Sequence, residues 1–177
     1  SNSAVDIDYC YLWCEKMQGD VYIPENTIYV RGAFFRCSNI SSADIKSSKI
    51  SSMYNTFRGC TNLKQVTISG STENLINMSS TFTDCSNLTS LSLSDSSFSN
   101  VTSIEGCFSG CSNLKSLSLS DSSLHNITNM GSCFRDCSNL RMQCIIPPKV
   151  VDIGSAYYGC KNVYGSVTLP DTITSMA

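Results

Sequence analysis

Apolar residues recur along this chain in a fixed order rather than in one continuous period. An alternation comes first: Leu63-x-x-Val66-x-Ile68, Leu88-x-x-Leu91-x-Leu93 and Leu114-x-x-Leu117-x-Leu119, with Ile40-x-x-Ala43-x-Ile45 as an earlier equivalent. Side chains that alternate in this way share one buried face of a short strand. A polar stretch of variable length follows. Then comes an apolar pair three residues apart: Ile50/Met53, Leu75/Met78, Val101/Ile104, Ile127/Met130 and Val150/Ile153. The unit closes on an aromatic residue, a cysteine three later and an apolar residue three after that. Three-residue spacing predicts about two turns of α- or 3₁₀-helix for this closing segment.

The closing segment is repeated almost word for word. Phe57-Arg-Gly-Cys-Thr-Asn-Leu63, Phe82-Thr-Asp-Cys-Ser-Asn-Leu88, Phe108-Ser-Gly-Cys-Ser-Asn-Leu114 and Phe134-Arg-Asp-Cys-Ser-Asn-Leu140 match closely. Phe34 to Ile40, Tyr157 to Val163 and Tyr11 to Met17 are looser copies. The repeat cysteines Cys14, Cys37, Cys60, Cys85, Cys111, Cys137 and Cys160 lie 23, 23, 25, 26, 26 and 23 residues apart, a period within the leucine-rich-repeat range. Such a unit cannot bury its apolar face alone, so neighbours must stack. The interior then holds ladders of like residues, with Leu93 beside Leu119, Phe108 beside Phe134 and Cys111 beside Cys137. Shorter strand forms occur at Val21-Tyr-Ile-Pro24, Cys144-Ile-Ile-Pro147 and Val167-Thr-Leu-Pro170, where proline ends the strand because it cannot donate to a ladder. In the middle repeats Ser94-Asp-Ser-Ser97 and Ser120-Asp-Ser-Ser123 take the place of proline and supply local turn bonds.

These residues carry a family resemblance. The segment Ile146-Pro-Pro-Lys-Val150 through Ile153-Gly-Ser-Ala-Tyr157-Tyr-Gly-Cys160 resembles the BspA-like (Treponema-type) leucine-rich repeat. The longer units, such as Leu114 to Cys137, resemble a related 26-residue bacterial surface repeat. The resemblance runs from about residue 9 to residue 176, with Cys10, Cys107 and Cys133 where that family usually has Met or Ala. It implies a surface or extracellular protein that works in adhesion or protein binding, with no catalytic residues to transfer. The expected fold is an α/β repeat solenoid: a right-handed leucine-rich-repeat stack with a parallel strand ladder and short helical turns. One domain is expected over residues 1–177, of about seven repeats of 23–26 residues. The last repeat stops at Met176-Ala177, before its aromatic and cysteine would come, so a fragment of a longer array is expected. Uncapped solenoid ends also predict self-association.

Composition narrows the chemistry. Net charge is −2, so the basic footprint of a nucleic-acid-binding protein is missing. No apolar run approaches the ~20 residues of a membrane span, and no membrane insertion is expected. Thirty-three serines among 177 residues would suit a disordered chain, but 41% hydrophobic residues in regular places argue for a folded one. There is no phosphate loop, dinucleotide fingerprint or zinc-protease motif. His125 is the only histidine and lies in a variable turn, and the carboxylates are scattered. The expectation is therefore no enzyme, no cofactor and no metal.

Eleven cysteines, an odd number, cannot all pair within the chain. The seven repeat cysteines read as small buried hydrophobes forming a structural ladder. Cys10, Cys107 and Cys133 each precede a repeat cysteine by four residues, which places both thiols on one face of a helix. Cys107, Cys111, Cys133 and Cys137 then form a four-thiol cluster, for which zinc or disulfides are the sharper alternatives to packing. Cys144 aligns with Ser92 and Ser118 and is expected to face solvent as the readily labelled thiol. Asn39, Asn62, Asn87, Asn113, Asn139 and Asn162 follow the repeat cysteines by two and suit left-handed or capping positions. Asn-x-Ser/Thr triplets occur at Asn39, Asn77, Asn87, Asn100 and Asn126.

The outward strand face remains for function. Its central line is Tyr22, Asp44, Thr67, Ser92, Ser118, Cys144 and Thr168. Tyr22 and Tyr29 near one end, and Met142 and Ile146 near the other, are the anchor candidates, and Lys64, Lys115 and Arg141 align at one edge. Solenoids bind partners over such extended surfaces, so a protein or glycan ligand is expected. The alternatives are a structural spacer that projects another domain and a hydroxyl array that binds a repetitive ligand.

Overall fold

The structure, a computed structural model, describes residues 3–92, 98–117, 119 and 123–176. It is a parallel β-solenoid with two walls and a core of stacked side chains between them. The strands are β1 (Val5–Asp6), β2 (Gln18–Ile23), β3 (Thr27–Tyr29), β4 (Asn39–Ile45), β5 (Gln65–Ile68) and β6 (Ser90–Ser92). β1 and β3 form a small parallel pair, and β2-β4-β5-β6 form a parallel sheet in that order. Each strand enters the sheet one coil after its neighbour. Pro24 follows β2 directly and ends it, as the missing N–H requires.

The sequence expectation and the structure part at two places in the secondary structure. Leu114 to Leu119 was expected to continue the ladder, yet among the described residues β6 is the last strand of the sheet and residues 114–117 form no strand. Leu117 still packs inward. The Leu93–Leu119 contact and most of the two Ser-Asp-Ser-Ser inserts fall outside the described residues.

The second correction is to the helical turns: no helix exists among the described residues. The aromatic-x-x-Cys segment is instead a chain of tight turns. Every second N–H closes a turn three residues back: Thr81 N to Met78 O, Thr83 N to Ser80 O and Cys85 N to Phe82 O. The N–H groups between them donate to the next coil: Met78 to Ser103 O, Ser80 to Glu105 O, Phe82 to Cys107 O and Asp84 to Ser109 O. A helix would spend all of these donors within one coil. The turn chain spends half of them between coils, so stacking and local closure are satisfied together. Left-handed residues at four-residue intervals make this possible, for example Asn55 and Gly59, Ser80 and Asp84, Gly106 and Gly110, Ser132 and Asp136.

The core is a set of axial ladders. Seven rings stack without interruption: Tyr11, Phe34, Phe57, Phe82, Phe108, Phe134 and Tyr157, with centroids 5.3–5.8 Å apart. Phe57, Phe82, Phe108 and Phe134 are fully buried. Beside the rings, each repeat thiol from Cys37 onward donates to the carbonyl of the aromatic residue one coil earlier. Cys37 Sγ reaches Tyr11 O at 2.9 Å, Cys85 reaches Phe57 O at 3.1 Å and Cys137 reaches Phe108 O at 3.0 Å. Cysteine at this position is thus both a small core filler and a donor. On the same wall, parallel bridges link Ser52, Asn77, Ser103, Asn129, Asp152 and Ser175 in turn.

Candidate functional site

Outward side chains of the sheet form two straight rows, because alternate residues of each strand face the core. Val21 and Ile23, Ala43 and Ile45, and Val66 and Ile68 point inward. One outward row runs Tyr22, Asp44, Thr67, Ser92, and the second runs Asp20, Ser42, Gln65, Ser90, all as direct register partners. The structure therefore brings four residues of the sequence-derived line side by side. Between the rows lies a groove of about 390 Å³ whose polar lining is Asp20, Tyr22, Ser42, Asp44, Gln65 and Thr67.

The groove is polar and partly pre-ordered. Asp20 Oδ1 accepts bonds from Ser42 Oγ at 2.7 Å and Ser41 Oγ at 3.0 Å. These two hydroxyls, Ser42 first, hold the Asp20 carboxyl below the usual carboxylate range. Asp44 Oδ1 accepts from Ser69 Oγ at 3.2 Å, and Asp44 Oδ2 lies 4.0 Å from Lys46 Nζ. The Lys46 ammonium also sits 5.4 Å from the centroid of the Tyr22 ring, a cation–π contact.

The rest of the expected line does not join these rows. Ser118 lies outside the described residues. Thr168 and Cys144 line a separate groove of about 390 Å³ with Gln143, Ile145, Ile146 and Ser166. Cys144 is corrected in exposure as well: it is half-buried, beside the Tyr157 hydroxyl. The reason is local. Tyr157 replaces a Phe of the ring ladder, and its hydroxyl accepts from Ile145 N at 3.2 Å and donates to Ile145 O at 2.8 Å. That clamp turns residues 142–145 out of the register inferred from Leu140. Met142 becomes 7% exposed, a core residue rather than an anchor, while Gln143 points out. Tyr22 at 58% and Tyr29 at 46% are exposed, and Ile146 is half-buried. Lys64, Lys115 and Arg141 are all exposed.

All eleven cysteines are free thiols. Cys10 is the exposed one; Cys14, Cys144 and Cys160 are half-buried; the other seven are buried. Cys10 occupies the same register position as Cys107 and Cys133, which neighbouring coils sandwich on both sides. Burial pushes the thiols of Cys60, Cys85, Cys107, Cys111 and Cys133 far up, and that of Cys137 up to about 12. A thiol held neutral is a weak nucleophile and a weak metal ligand. Among the described residues no three His, Cys, Asp or Glu side chains converge on a metal-sized site.

The asparagines after the repeat cysteines act differently from expectation. Left-handed backbone falls on other residues, and these amides tie coils together: Asn39 Nδ2 to Glu15 O at 2.6 Å, Asn113 to Ser86 O at 2.9 Å and Asn139 to Ser112 O at 2.8 Å. Asn100 and Asn126 likewise donate to Glu73 O and Ser99 O. Sequence reasoning also missed a patch on the turn wall. The Arg36 guanidinium lies 4.3 Å from the Trp13 ring and 5.8 Å from Phe35, and Arg58 lies 5.8 Å from Phe35. These residues fill the variable positions between aromatic and cysteine, which repeat alignment discards.

Coils that stack through parallel ladders define the protein as a β-solenoid repeat protein. Residues 29–145 match the family described as "Mycoplasma protein of unknown function, DUF285", and the chain belongs to that family. No curated protein matches it. Among solved structures it is similar to a leucine-rich repeat protein from Bacteroides ovatus ATCC 8483, at 22% identity and a TM-score of 0.41. That similarity covers 89% of this chain and 33% of the other, so the chain spans about a third of that protein's length.

Proposed function

We propose that the chain is a non-catalytic binding module of BspA-like type, part of a surface or extracellular protein, that recognises a protein or glycan in an adhesion role. The observation that supports this reading is the grooved sheet face. Its outward rows are in register, yet the Gln65 amide and the Thr67 hydroxyl make no side-chain hydrogen bond among the described residues. The fold does not use them, so they are free to meet a ligand. Modest intrinsic affinity is expected from a face with one aromatic anchor, raised by repetition if several copies act together.

The spacer reading makes the opposite prediction, and the two separate cleanly. Wild-type chain and the double variant Thr67→Trp, Ser92→Trp would be compared on an array of extracellular-matrix proteins and oligosaccharides. A binding module loses about tenfold or more in affinity on its ligand, the scale of a disrupted hot spot. Binding that is unchanged in the variant, or absent in both, favours the spacer.

A further inference from the structure

We propose that the groove between β2, β4 and β5 is a carbohydrate subsite for a neutral sugar. The Tyr22 ring carries the apolar face of a pyranose, and Asp20 and Asp44 accept hydrogen bonds from its hydroxyls. This inference rests on the sheet face being a binding surface and gives that surface a ligand class.

Three features select the ligand. The first is the ring. Tyr22 projects from β2 as an exposed aromatic, with Lys46 against one side of it. Tyr22 itself lines the groove, and Lys46 does not. An exposed ring with a polar tip offers stacking area to the C–H face of a sugar. The second is the acceptors. Both serine bonds to Asp20 end on Oδ1, and Oδ2 has no hydrogen-bond partner among the described residues. An ionised carboxylate only accepts, so its ligand must donate. The third is the mixed polarity around them. Gln65 and Thr67, whose side chains make no hydrogen bond among the described residues, add donors and acceptors on the neighbouring strand, in the two rows that face the groove.

Charge decides between the classes of donor. An anion would meet two carboxylates. A cationic peptide would have to share Asp44 with the Lys46 ammonium, 4.0 Å from that carboxylate. A neutral polyol meets neither penalty and uses both donors and acceptors. The groove volume of about 390 Å³ falls within the range of small-molecule sites, roughly 300–1,000 Å³.

The test is an amide-resolved NMR titration of the whole chain with mannobiose, cellotriose and diacetylchitobiose, and in parallel with tetralysine. At least one sugar should shift residues of β2, β4 and β5 selectively. Tyr22→Ala and Asp20→Asn should each weaken that binding about tenfold, and Tyr22→Trp should retain it. Both substituted side chains lie on the outer face, and unchanged melting temperatures show that the fold is intact. The proposal is overturned if none of the sugars shifts the groove, if both variants bind as the wild type does, or if only tetralysine binds. Should the sugars fail while Thr67→Trp, Ser92→Trp still abolishes capture of an arrayed protein, the carbohydrate assignment falls and the binding module stands.

Discussion

The two walls of the solenoid are built from the same coils yet differ in how firmly they repeat. On the turn wall the ring ladder runs unbroken from Tyr11 to Tyr157, and a thiol of each following coil bonds the aromatic carbonyl before it. On the strand wall the hydrogen-bonded sheet among the described residues runs from β2 to β6. Both walls carry backbone bonds between coils. The turn wall adds side chains of fixed size that fit only in one axial register. The difference in repeat length, 23 to 26 residues, falls in the polar stretch between the walls. A wall pinned by side chains therefore keeps its register while the other drifts. Drift leaves the outward strand positions free to vary, and the groove with Tyr22 and Asp20 lies on that side.

Alkali is the sharpest way to break this asymmetry, because the buried thiols all sit on the turn wall. Their folded pKa values lie above the ordinary 9.0, with Cys137 at about 12. Below pH 9 both states hold the proton and stability is complete. Above it the unfolded chain ionises first, so stability falls as pH rises through the window from 9 to about 12. Each such thiol contributes a slope of about 1.4 kcal/mol per pH unit, and the six pushed furthest up, Cys60, Cys85, Cys107, Cys111, Cys133 and Cys137, would together consume most of a typical ~5–15 kcal/mol domain within one to two units. Urea unfolding at stepped pH under reducing conditions measures this. Cys111→Ala should lower the slope by one thiol's share; a flat profile to pH 10.5 would refute the neutral-thiol wall. Phe108→Ala comes next. It removes a fully buried ring flanked at 5.6 Å on both sides, and should cost about 3–5 kcal/mol in urea midpoint analysis.

The same contrast governs what could be read in advance. Repeat spacing sufficed for the ring and thiol columns, because identical residues at one period must stack. Strand rows at Tyr22, Asp44, Thr67 and Ser92 followed from simple alternation. The helical expectation failed for a specific reason. It rested on apolar and aromatic residues three apart, a spacing that a chain of turns closed three residues back shares with a helix. Only the residues needing left-handed backbone tell the two apart, and Ser80 and Asp84 do not announce that requirement as glycine would. Cys144 and Met142 were misplaced because one hydroxyl, on Tyr157, resets the register of a segment twelve residues away. A pattern of like residues is legible; a single unlike atom in the core is not.

Backbone strain separates the walls on a finer scale. Gly110 has φ +75°, and a Cβ there would meet Asp84 Oδ1 at 2.7 Å and Asp84 Cα at 3.3 Å. The glycine thus lets the left-handed Asp84 side chain fold over it. Gly159 stands in the same relation to Asp136, where the closest approach is tighter still. Gly110→Ala should cost about 1–2 kcal/mol from the left-handed backbone alone, and displacing Asp84 adds to that. Asp84→Ala should relieve the clash with Oδ1 but neither the approach to Asp84 Cα nor the backbone strain, which a double-mutant cycle separates. Thr67→Ala on the strand wall is the matched comparison. That side chain projects outward and makes no side-chain hydrogen bond among the described residues, so its loss should stay within about 0.5 kcal/mol. Equal costs at the two positions would mean that the strand face is held as tightly as the turn face. A free Thr67 and a costly Gly110 would instead place conformational constraint on one wall and leave the other open to recognition.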